Sequence, residues 1–401
     1  MTMRLRAKIG GRRVAGAAAT VAMAVSAGLA VPAMAASAAP SGRILSAGQT
    51  GTRAEVPWSK IGPGWALAMY SASQGGEDVT PKAGPSTLYL VDPQGGRYKL
   101  ITWSARSAQA RAPWNLVDWS GDTRRALFSS GYAGATREHL HQLQLRTGHV
   151  SSFTLPKDVI AIGYTRPDGL NILAEKGTAE SPTSKLTLQR YSLTGKLQKS
   201  LATITDLGQV AYESGGAAIA AGALRGLELI SNAGGVIRRL PVPGVTEGCS
   251  PVRWWTTATI LASCSVTNEA GPRLWLVPAG GATPTALTPV RKGGFDLGDF
   301  NAWQLSSGLY LDGYGACGTL VIGRQPRHGK EQMVTVPGAA SSLIVNATRS
   351  TLLVKRINAC SPGVSLVWFN PASRALTVAI PDGHNQFGVT GVVPYFIAGK
   401  F

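Results

Sequence analysis

Cysteine, acidic residues and long apolar runs are all scarce in this chain of 401 residues. Its four cysteines begin only at residue 249, and none has the C-x-x-C spacing that is common in zinc sites. No G-x-S-x-G sequence occurs, so the nucleophile elbow of α/β-hydrolases is missing. After residue 35, glycine, proline or charged residues interrupt every apolar stretch, and we therefore expect no transmembrane segment.

The periodicity of amphipathic helices is lacking as well. Apolar residues recur with a period close to two, as in Leu274 and Leu276, which is typical of strands. The 49 glycines and 24 prolines, with only 7% aromatic residues, favour short strands joined by tight turns. The sequence therefore predicts an all-β protein.

Residues 1–35 have the features of a secretory signal peptide. A basic segment without acids is followed by an apolar run of small residues, which closes on Ala33-Met34-Ala35, a typical cleavage pattern. We predict cleavage after Ala35, with Ala38 as the alternative site; a retained anchor or twin-arginine export fits the pattern less well. No cysteine adjoins the site to carry a lipid. We expect a secreted protein, extracellular or associated with the cell wall.

The chain is strongly basic. Its formal charge is +18, and removal of the five cations of the leader leaves 34 basic against 21 acidic residues, or +13. Such a balance favours contact with anionic surfaces such as wall polymers, lipid headgroups or nucleic acid. The cations are scattered, however, with no run longer than two, which is more typical of a solvated surface than of a polyanion groove. We predict no specific nucleic-acid binding and keep polyanion binding as an alternative.

One pattern returns seven times along the chain: two short apolar strands around a turn rich in glycine or polar residues. Successive copies begin 41 to 54 residues apart, which matches one blade of a β-propeller. These predicted hairpins cover residues 87–103, 141–155, 186–204, 227–242, 273–288, 319–336 and 365–380.

A second pair of strands precedes most of these hairpins, so each unit holds four strands. The predicted pairs cover residues 115–130, 164–173, 212–221, 254–263, 303–311 and 345–354, while residues 57–73 open the first unit. A four-stranded sheet that is apolar on both faces cannot bury those faces alone. Packing several such sheets face to face around a ring buries them. We predict a lead segment at residues 36–56 and one β-propeller at residues 57–401. It has seven blades, or six if the first unit is partial. The ring closes through residues 389–397 or 42–47.

Residues 119–128, WSGDTRRALF, resemble the W-S-P-D-G-x-x-[IL]-[AV]-F element of the TolB-like, or WD-like, β-propeller repeat. Gly121 and Thr123 depart from the Pro and Gly of that element, and Pro167-Asp168-Gly169 restores the turn in the next unit. The resemblance implies a propeller that grips protein partners at one end of the ring or in its central channel. Some TolB-like relatives act in an outer-membrane complex, and we do not predict that role for this chain.

The four cysteines of an exported chain favour disulfides over free thiols. Cys249 and Cys264 would lie opposite each other if the segment between them is a hairpin. Cys317 and Cys360 both follow the second strand of their units, and equivalent positions of adjacent blades can face each other. We predict these two pairs, with the other two pairings as alternatives.

Candidate catalytic or metal-binding residues are few. His139 and His141 alternate with Leu140 and would share one strand face, which is more typical of a partly exposed face than of a metal site. Of the acidic pairs, Asp296 with Asp299 is interpreted as turn capping, and Glu77-Asp78 lies in a loop. Trp114 lies on a connection, where an exposed ring could stack on a sugar. We predict no catalytic, cofactor-binding or metal-binding residue.

The function predicted from these features is a monomeric binding scaffold of the cell envelope or its exterior, without a cofactor. Its partner would be a protein or an envelope polymer. The alternative is a lyase or hydrolase that acts on extracellular glycans at the mouth of the propeller channel.

Overall fold

The described part of the chain is all-β and has 30 strands. The computed structural model describes residues 42–76, 79–104, 114–130, 137–177, 184–205, 210–213, 215–266, 271–288, 298–315, 318–326, 331–357, 363–383 and 385–395. Its helical segments there are two 3₁₀ turns, Arg53–Glu55 and Trp58–Lys60. Within these ranges no helix is long and apolar enough to cross a bilayer.

Most strands fall into four-stranded antiparallel groups, which we call blades 1 to 7 in chain order. Blade 1 contains β1 (Thr50–Thr52), β2 (Ala66–Gly76), β3 (Val79–Lys82), β4 (Ser86–Val91) and β5 (Arg97–Trp103). Blade 2 contains β6 (Asn115–Trp119), β7 (Arg125–Ser129), β8 (Arg137–Gln144) and β9 (Val150–Lys157). Blade 3 contains β10 (Val159–Tyr164), β11 (Asn171–Lys176), β12 (Lys185–Ser192) and β13 (Leu197–Thr205).

The remaining strands continue the same order. Blade 4 contains β14 (Ala211–Tyr212), β15 (Ala218–Ala223), β16 (Gly226–Ser231) and β17 (Val236–Pro241). Blade 5 contains β18 (Val245–Thr256), β19 (Thr259–Val266), β20 (Arg273–Pro278) and β21 (Thr285–Ala286). Blade 6 contains β22 (Asp299–Leu305), β23 (Gly308–Tyr314), β24 (Leu320–Gln325) and β25 (Gln332–Val334). Blade 7 contains β26 (Ser341–Ala347), β27 (Leu352–Ile357), β28 (Val364–Phe369) and β29 (Leu376–Ile380), and β30 (Gln386–Pro394) follows it.

All seven predicted hairpins are present, as the last two strands of each blade. The turn between β4 and β5 illustrates why the sequence folds this way. The Asp92 carboxylate accepts hydrogen bonds from the backbone N–H groups of Gln94 (2.8 Å) and Gly96 (3.0 Å). Gly95 adopts a φ of +90°, which a side chain would disfavour. Asp and Gly at these positions therefore reverse the chain without leaving backbone donors unpaired.

Blade 1 is completed by β30, the last strand that the structure describes. β30 pairs antiparallel with β2, with Ala68 opposite Val392, so residues 389–397, and not residues 42–47, include the strand that pairs with the first unit. The lead segment instead adds β1 in parallel to the outer side of β5. Residues 58–60, predicted as part of the first unit's strands, form a 3₁₀ turn. Single bridges also join β15 to β18 and β28 to β30.

Apolar clusters fill the spaces between neighbouring blades. In one of them, Leu173 and Leu188 of blade 3 pack with Ile219 and Ile230 of blade 4, all nearly inaccessible to solvent. Each such side chain contributes about 1.5–3 kcal/mol through removal from water. An aromatic residue occupies a similar position near the end of the first strand in blades 2 to 6, and all five are buried: Trp119, Tyr164, Tyr212, Trp254 and Trp303.

Candidate functional site

The candidate site is a cavity of about 370 Å³ that is lined by all seven blades. Its wall takes residues from the first strand of blades 2 to 7, and β30 supplies the contribution of blade 1. Most of these residues are apolar or aromatic. The polar side chains on the wall, apart from tyrosine hydroxyls and indoles, are Asp118, Arg166, Arg253, Asn301 and Asn346.

β-Bulges recur where these strands face the cavity. The pairing register shifts between Leu116 and Asp118 in β6 and between Ala161 and Gly163 in β10. Equivalent shifts occur in β18, β22 and β26. Because a bulge inserts one unpaired residue and bends the strand, it changes which side chains face the cavity. The same irregularity in five blades shows that the first strands are shaped alike where they line the cavity.

An ion pair joins blades 2 and 3 at the cavity wall. The Asp118 carboxylate accepts two hydrogen bonds from the Arg166 guanidinium, at 2.8 and 2.9 Å, and a third from the backbone N–H of Tyr164, at 2.7 Å. The two side chains are only 13% and 7% exposed. Arg166 also donates to the Tyr164 carbonyl (3.0 Å). The pair neutralises both charges and fixes one blade against the next.

The residues that resemble the TolB-like repeat element support this joint rather than the cavity wall. Ser120 donates to the Asp122 carboxylate (2.6 Å), and the backbone N–H of Arg125 donates to the Ser120 hydroxyl (2.9 Å). The Arg125 guanidinium then reaches the carbonyl of Asp168 in blade 3 (3.3 Å). Thr123 takes a φ of +61°, the left-handed region that suits glycine. This element is therefore a turn that connects two blades.

Arg253 forms the equivalent joint between blades 5 and 6. Its guanidinium donates to the Asn301 side chain (2.6 Å) and to the Ala302 carbonyl. It also lies 4.0 Å from the centroid of the Trp303 ring and 5.4 Å from that of Trp255, which adds cation–π attraction. The guanidinium is thus held by the next blade at the cavity wall.

A buried carboxylate continues this network into blade 7. Asp312 is fully buried and accepts hydrogen bonds from the Trp303 indole (3.1 Å) and from the backbone N–H of Ile344 (2.8 Å). Burial raises the pKa of Asp312 to about 7, although these hydrogen bonds and the nearby Arg253 charge act in the opposite direction. Asn346 then donates to the Trp65 carbonyl beside blade 1 (3.2 Å). Polar side chains thus link four consecutive blades.

Between these joints the wall of the cavity is apolar. Val210, Val252 and Val393 line it together with the buried rings of Tyr212 and Trp254. The Trp254 indole donates to the carbonyl of Ala211 in blade 4 (3.1 Å), so its polar atom is satisfied by the neighbouring blade. The surface left for a ligand is largely hydrophobic and aromatic.

Cys249 and Cys264 form a disulfide across the β18–β19 hairpin, where they are direct partners in the pairing register. Cys317 and Cys360 lie outside the described residues, so their predicted bond stays a prediction.

The two predicted histidines lie on β8 and bond to hydroxyl groups of neighbouring segments. His139 lies 2.9 Å from the Thr154 hydroxyl, and His141 lies 2.7 Å from that of Ser152. Trp114 stacks on the His141 ring with centroids 4.1 Å apart and is only 7% exposed. The prediction that Trp114 could present an exposed ring to a sugar was wrong, because the ring packs between blades 1 and 2 against Trp103, Phe128 and His141.

The predicted acidic pairs are only partly described. Asp299 is buried at the start of β22, whereas Asp296 and Glu77-Asp78 lie outside the described residues. Across the described ranges, no group of three or more His, Cys, Asp or Glu side chains could hold a metal ion. The wall residues Asp118, Arg166 and Arg253 were missed from the sequence. Asp118 and Arg253 had one local signal, a charged residue next to a buried aromatic, Trp119 or Trp254, whereas Arg166 had none.

No known sequence family and no curated protein match the chain. It is similar to one solved structure from a study of two prolyl endopeptidases, with a TM-score of 0.51 and 13% identity over 79% of this chain. The chain spans only half of that endopeptidase chain. TolB from Acinetobacter baumannii has a TM-score of 0.45 and 13% identity, and the match covers 84% of this chain and 67% of TolB. The β-propeller domain of the trilobed protease from Pyrococcus furiosus has a TM-score of 0.48 and 9% identity, over 78% and 94% of the two chains. Likeness at these identities concerns the fold alone, and the propeller-like architecture stands on the strand pairing and the shared cavity.

Proposed function

We propose that the chain is an exported, closed seven-bladed β-propeller that works as a monomeric binding scaffold, with its binding site in the central cavity. Residues 1–35 are removed on export in this proposal, and the mature protein acts in the cell envelope or outside the cell. One observation carries the proposal: strands from all seven blades line a single cavity whose ionic groups already bond to neighbouring blades.

The state of these ionic groups favours binding over catalysis. Hydrolysis of a glycan by the usual mechanism needs two carboxyl groups placed on either side of the bond. Among the described wall residues, Asp118 is the one carboxylate, and Arg166 holds it in two hydrogen bonds. The remaining wall offers apolar and aromatic surface, which suits a hydrophobic side chain of a partner or an apolar small molecule.

The test compares two tryptophan variants of the exported protein. Val252→Trp adds bulk inside the cavity, and Leu170→Trp adds the same side chain at a turn position that is 58% exposed. The protein is cross-linked in an envelope extract, and the captured partner is identified by mass spectrometry and then titrated by calorimetry. We expect the wild type and Leu170→Trp to bind it and Val252→Trp to lose at least tenfold in affinity.

Equal affinity of all three proteins, with unchanged thermal unfolding, would overturn the cavity as the binding site. Export is tested separately by sequencing the amino terminus of the secreted protein, which should begin at residue 36, or at residue 39 if cleavage follows Ala38. An amino terminus that keeps the leader would contradict that part of the proposal.

A further inference from the structure

The outer edge of blade 4 presents apolar side chains to solvent. In β17, Val236 and Ile237 are 45% and 55% exposed, and the two arginines that follow are exposed as well. β17 pairs with β16 on one side, and no described strand pairs with its other side. The free side of this strand therefore offers unpaired backbone groups to an added strand, with a register shift at Ile237 near its start.

Blades 1, 5 and 6 cover or shorten the corresponding edge, and β9 of blade 2 and β29 of blade 7 contain no exposed large apolar side chain. β1 covers the outer side of β5 in blade 1. β21 and β25 have only two and three residues. β13 of blade 3 exposes Leu197 but continues with Gln198 and Lys199. Two consecutive exposed branched apolar residues on a six-residue edge strand thus set β17 apart.

An apolar groove of about 300 Å³ adjoins the end of β17. Its walls include Leu240, Pro241 and Pro243 on one side and Val277 and Pro284 of blade 5 on the other. The Arg238 guanidinium donates to the Gly280 carbonyl at the rim of the groove (2.7 Å). The free edge of β17 and the groove therefore adjoin each other, and the Arg238 guanidinium lies between them.

The charge around this surface is positive. Arg225, Arg238 and Arg239 are exposed, and Glu228 is the carboxylate bonded to one of them, Arg239, at 3.1 Å. The Arg239 side chain remains 83% exposed despite that bond. An acidic partner would therefore be attracted to this edge, and a basic one repelled.

We propose that the β17 edge and the adjoining groove bind an extended acidic segment of a partner protein. The segment adds a strand to β17 through backbone hydrogen bonds, places an apolar side chain in the groove on the Arg238 face and sets its carboxylates beside Arg239 on the opposite face. This surface shares no residue with the wall of the central cavity, so the proposed strand binding does not depend on the function proposed above.

The probe is a fluorescein-labelled octapeptide, Asp-Val-Glu-Ile-Glu-Val-Asp-Ile, titrated with the exported protein by fluorescence anisotropy. Its matched control has the same side chains but methylated amides at alternate positions, which removes donors needed for strand pairing. We expect saturable binding of the probe, at least tenfold weaker binding of the methylated control, and weaker binding as salt rises. Hydrogen exchange should slow at residues 236–240 when the probe is bound.

Paired variants locate the site. Ile237→Lys and Arg238→Glu should each weaken binding at least tenfold, whereas Met333→Lys and Arg349→Glu, exposed positions on blades 6 and 7, should leave it within twofold. Val252→Trp in the cavity should also leave it unchanged, which keeps this test distinct from that of the cavity. Absence of saturable binding, or equal loss with both pairs of variants, would overturn the proposal. Equal binding of the methylated peptide, or displacement by a heparin fragment alone, would indicate a general anion surface and would also overturn it.

Discussion

Removing the Asp118 carboxylate should destabilise the protein strongly, because it leaves the Arg166 charge in a site from which water is largely excluded. In Asp118→Ala, Arg166 loses two hydrogen bonds of 2.8 and 2.9 Å, and the backbone N–H of Tyr164 loses its carboxylate acceptor. Breaking one side of a buried ion pair typically costs about 3–5 kcal/mol. We expect a loss of that size in the free energy of unfolding.

A double-mutant cycle separates the ion pair from the other effects of each substitution. Arg166→Leu alone leaves the carboxylate buried without its cation and should cost about as much as Asp118→Ala. The double variant has no uncompensated charge and should retain mainly the cost of the Tyr164 N–H, about 1–3 kcal/mol. The sum of the two single losses should therefore exceed the loss in the double variant by at least about 2 kcal/mol.

The assay is urea unfolding followed by tryptophan fluorescence, with the midpoint and slope recorded for each variant. Arg239→Ala is the control, because the Arg239 side chain is 83% exposed and its ion pair should contribute less than about 1 kcal/mol. Additive single losses, or losses at Asp118 no larger than at Arg239, would refute the view that a desolvated pair joins blades 2 and 3.

Three further predictions concern other joints of the fold. Cys249→Ser with Cys264→Ser opens a loop with a sequence separation of 15 and should lower the free energy of unfolding by about 3 kcal/mol; an unchanged urea midpoint would contradict this. Burial raises the pKa of Asp312 from 3.8 to about 7, so the folded protein holds a proton that the unfolded chain releases, and stability should fall as pH rises from 4 to 7 by about 3 kcal/mol. Asp312→Asn should lose that component of the pH dependence in urea midpoints measured at each pH, and an unaltered profile would argue against it. Trp254→Phe removes the 3.1 Å hydrogen bond to the Ala211 carbonyl and should lower the free energy of unfolding by about 1 kcal/mol. An unchanged free energy of unfolding would show that the indole does not bridge blades 4 and 5.

Local sequence patterns determine the elements of this fold more clearly than their partners. Period-two alternation and the turn residues located every hairpin, since both signals lie within a dozen or so residues of one another. The sequence does not distinguish residues 42–47 from residues 389–397 as the strand that completes blade 1, because both segments contain apolar residues and the pairing joins distant parts of the chain. The structure selects β30.

The cavity wall could be predicted only in outline. A ring of strands implies a central space, but nothing near Asp118 in the sequence indicates Arg166, which lies in the next blade. The same holds for Arg253 and Asn301, whose contact depends on how two blades pack. Trp114 was misread because its neighbour His141 belongs to another strand. These contacts are set by tertiary packing, which sequence periodicity does not encode.

The most direct test of the account is a covalent link between the first and last strands of the ring. Ala68 and Val392 are pairing partners on β2 and β30, so cysteines at both positions should form a disulfide that joins the corresponding peptides in non-reducing mass spectrometry. In a second variant the cysteines replace Ala68 and Val389. Because Val389 pairs with Tyr70, these two positions are out of register and should not form a disulfide. A link in the second variant but not the first, or in neither, would contradict a propeller whose final strand completes its first blade.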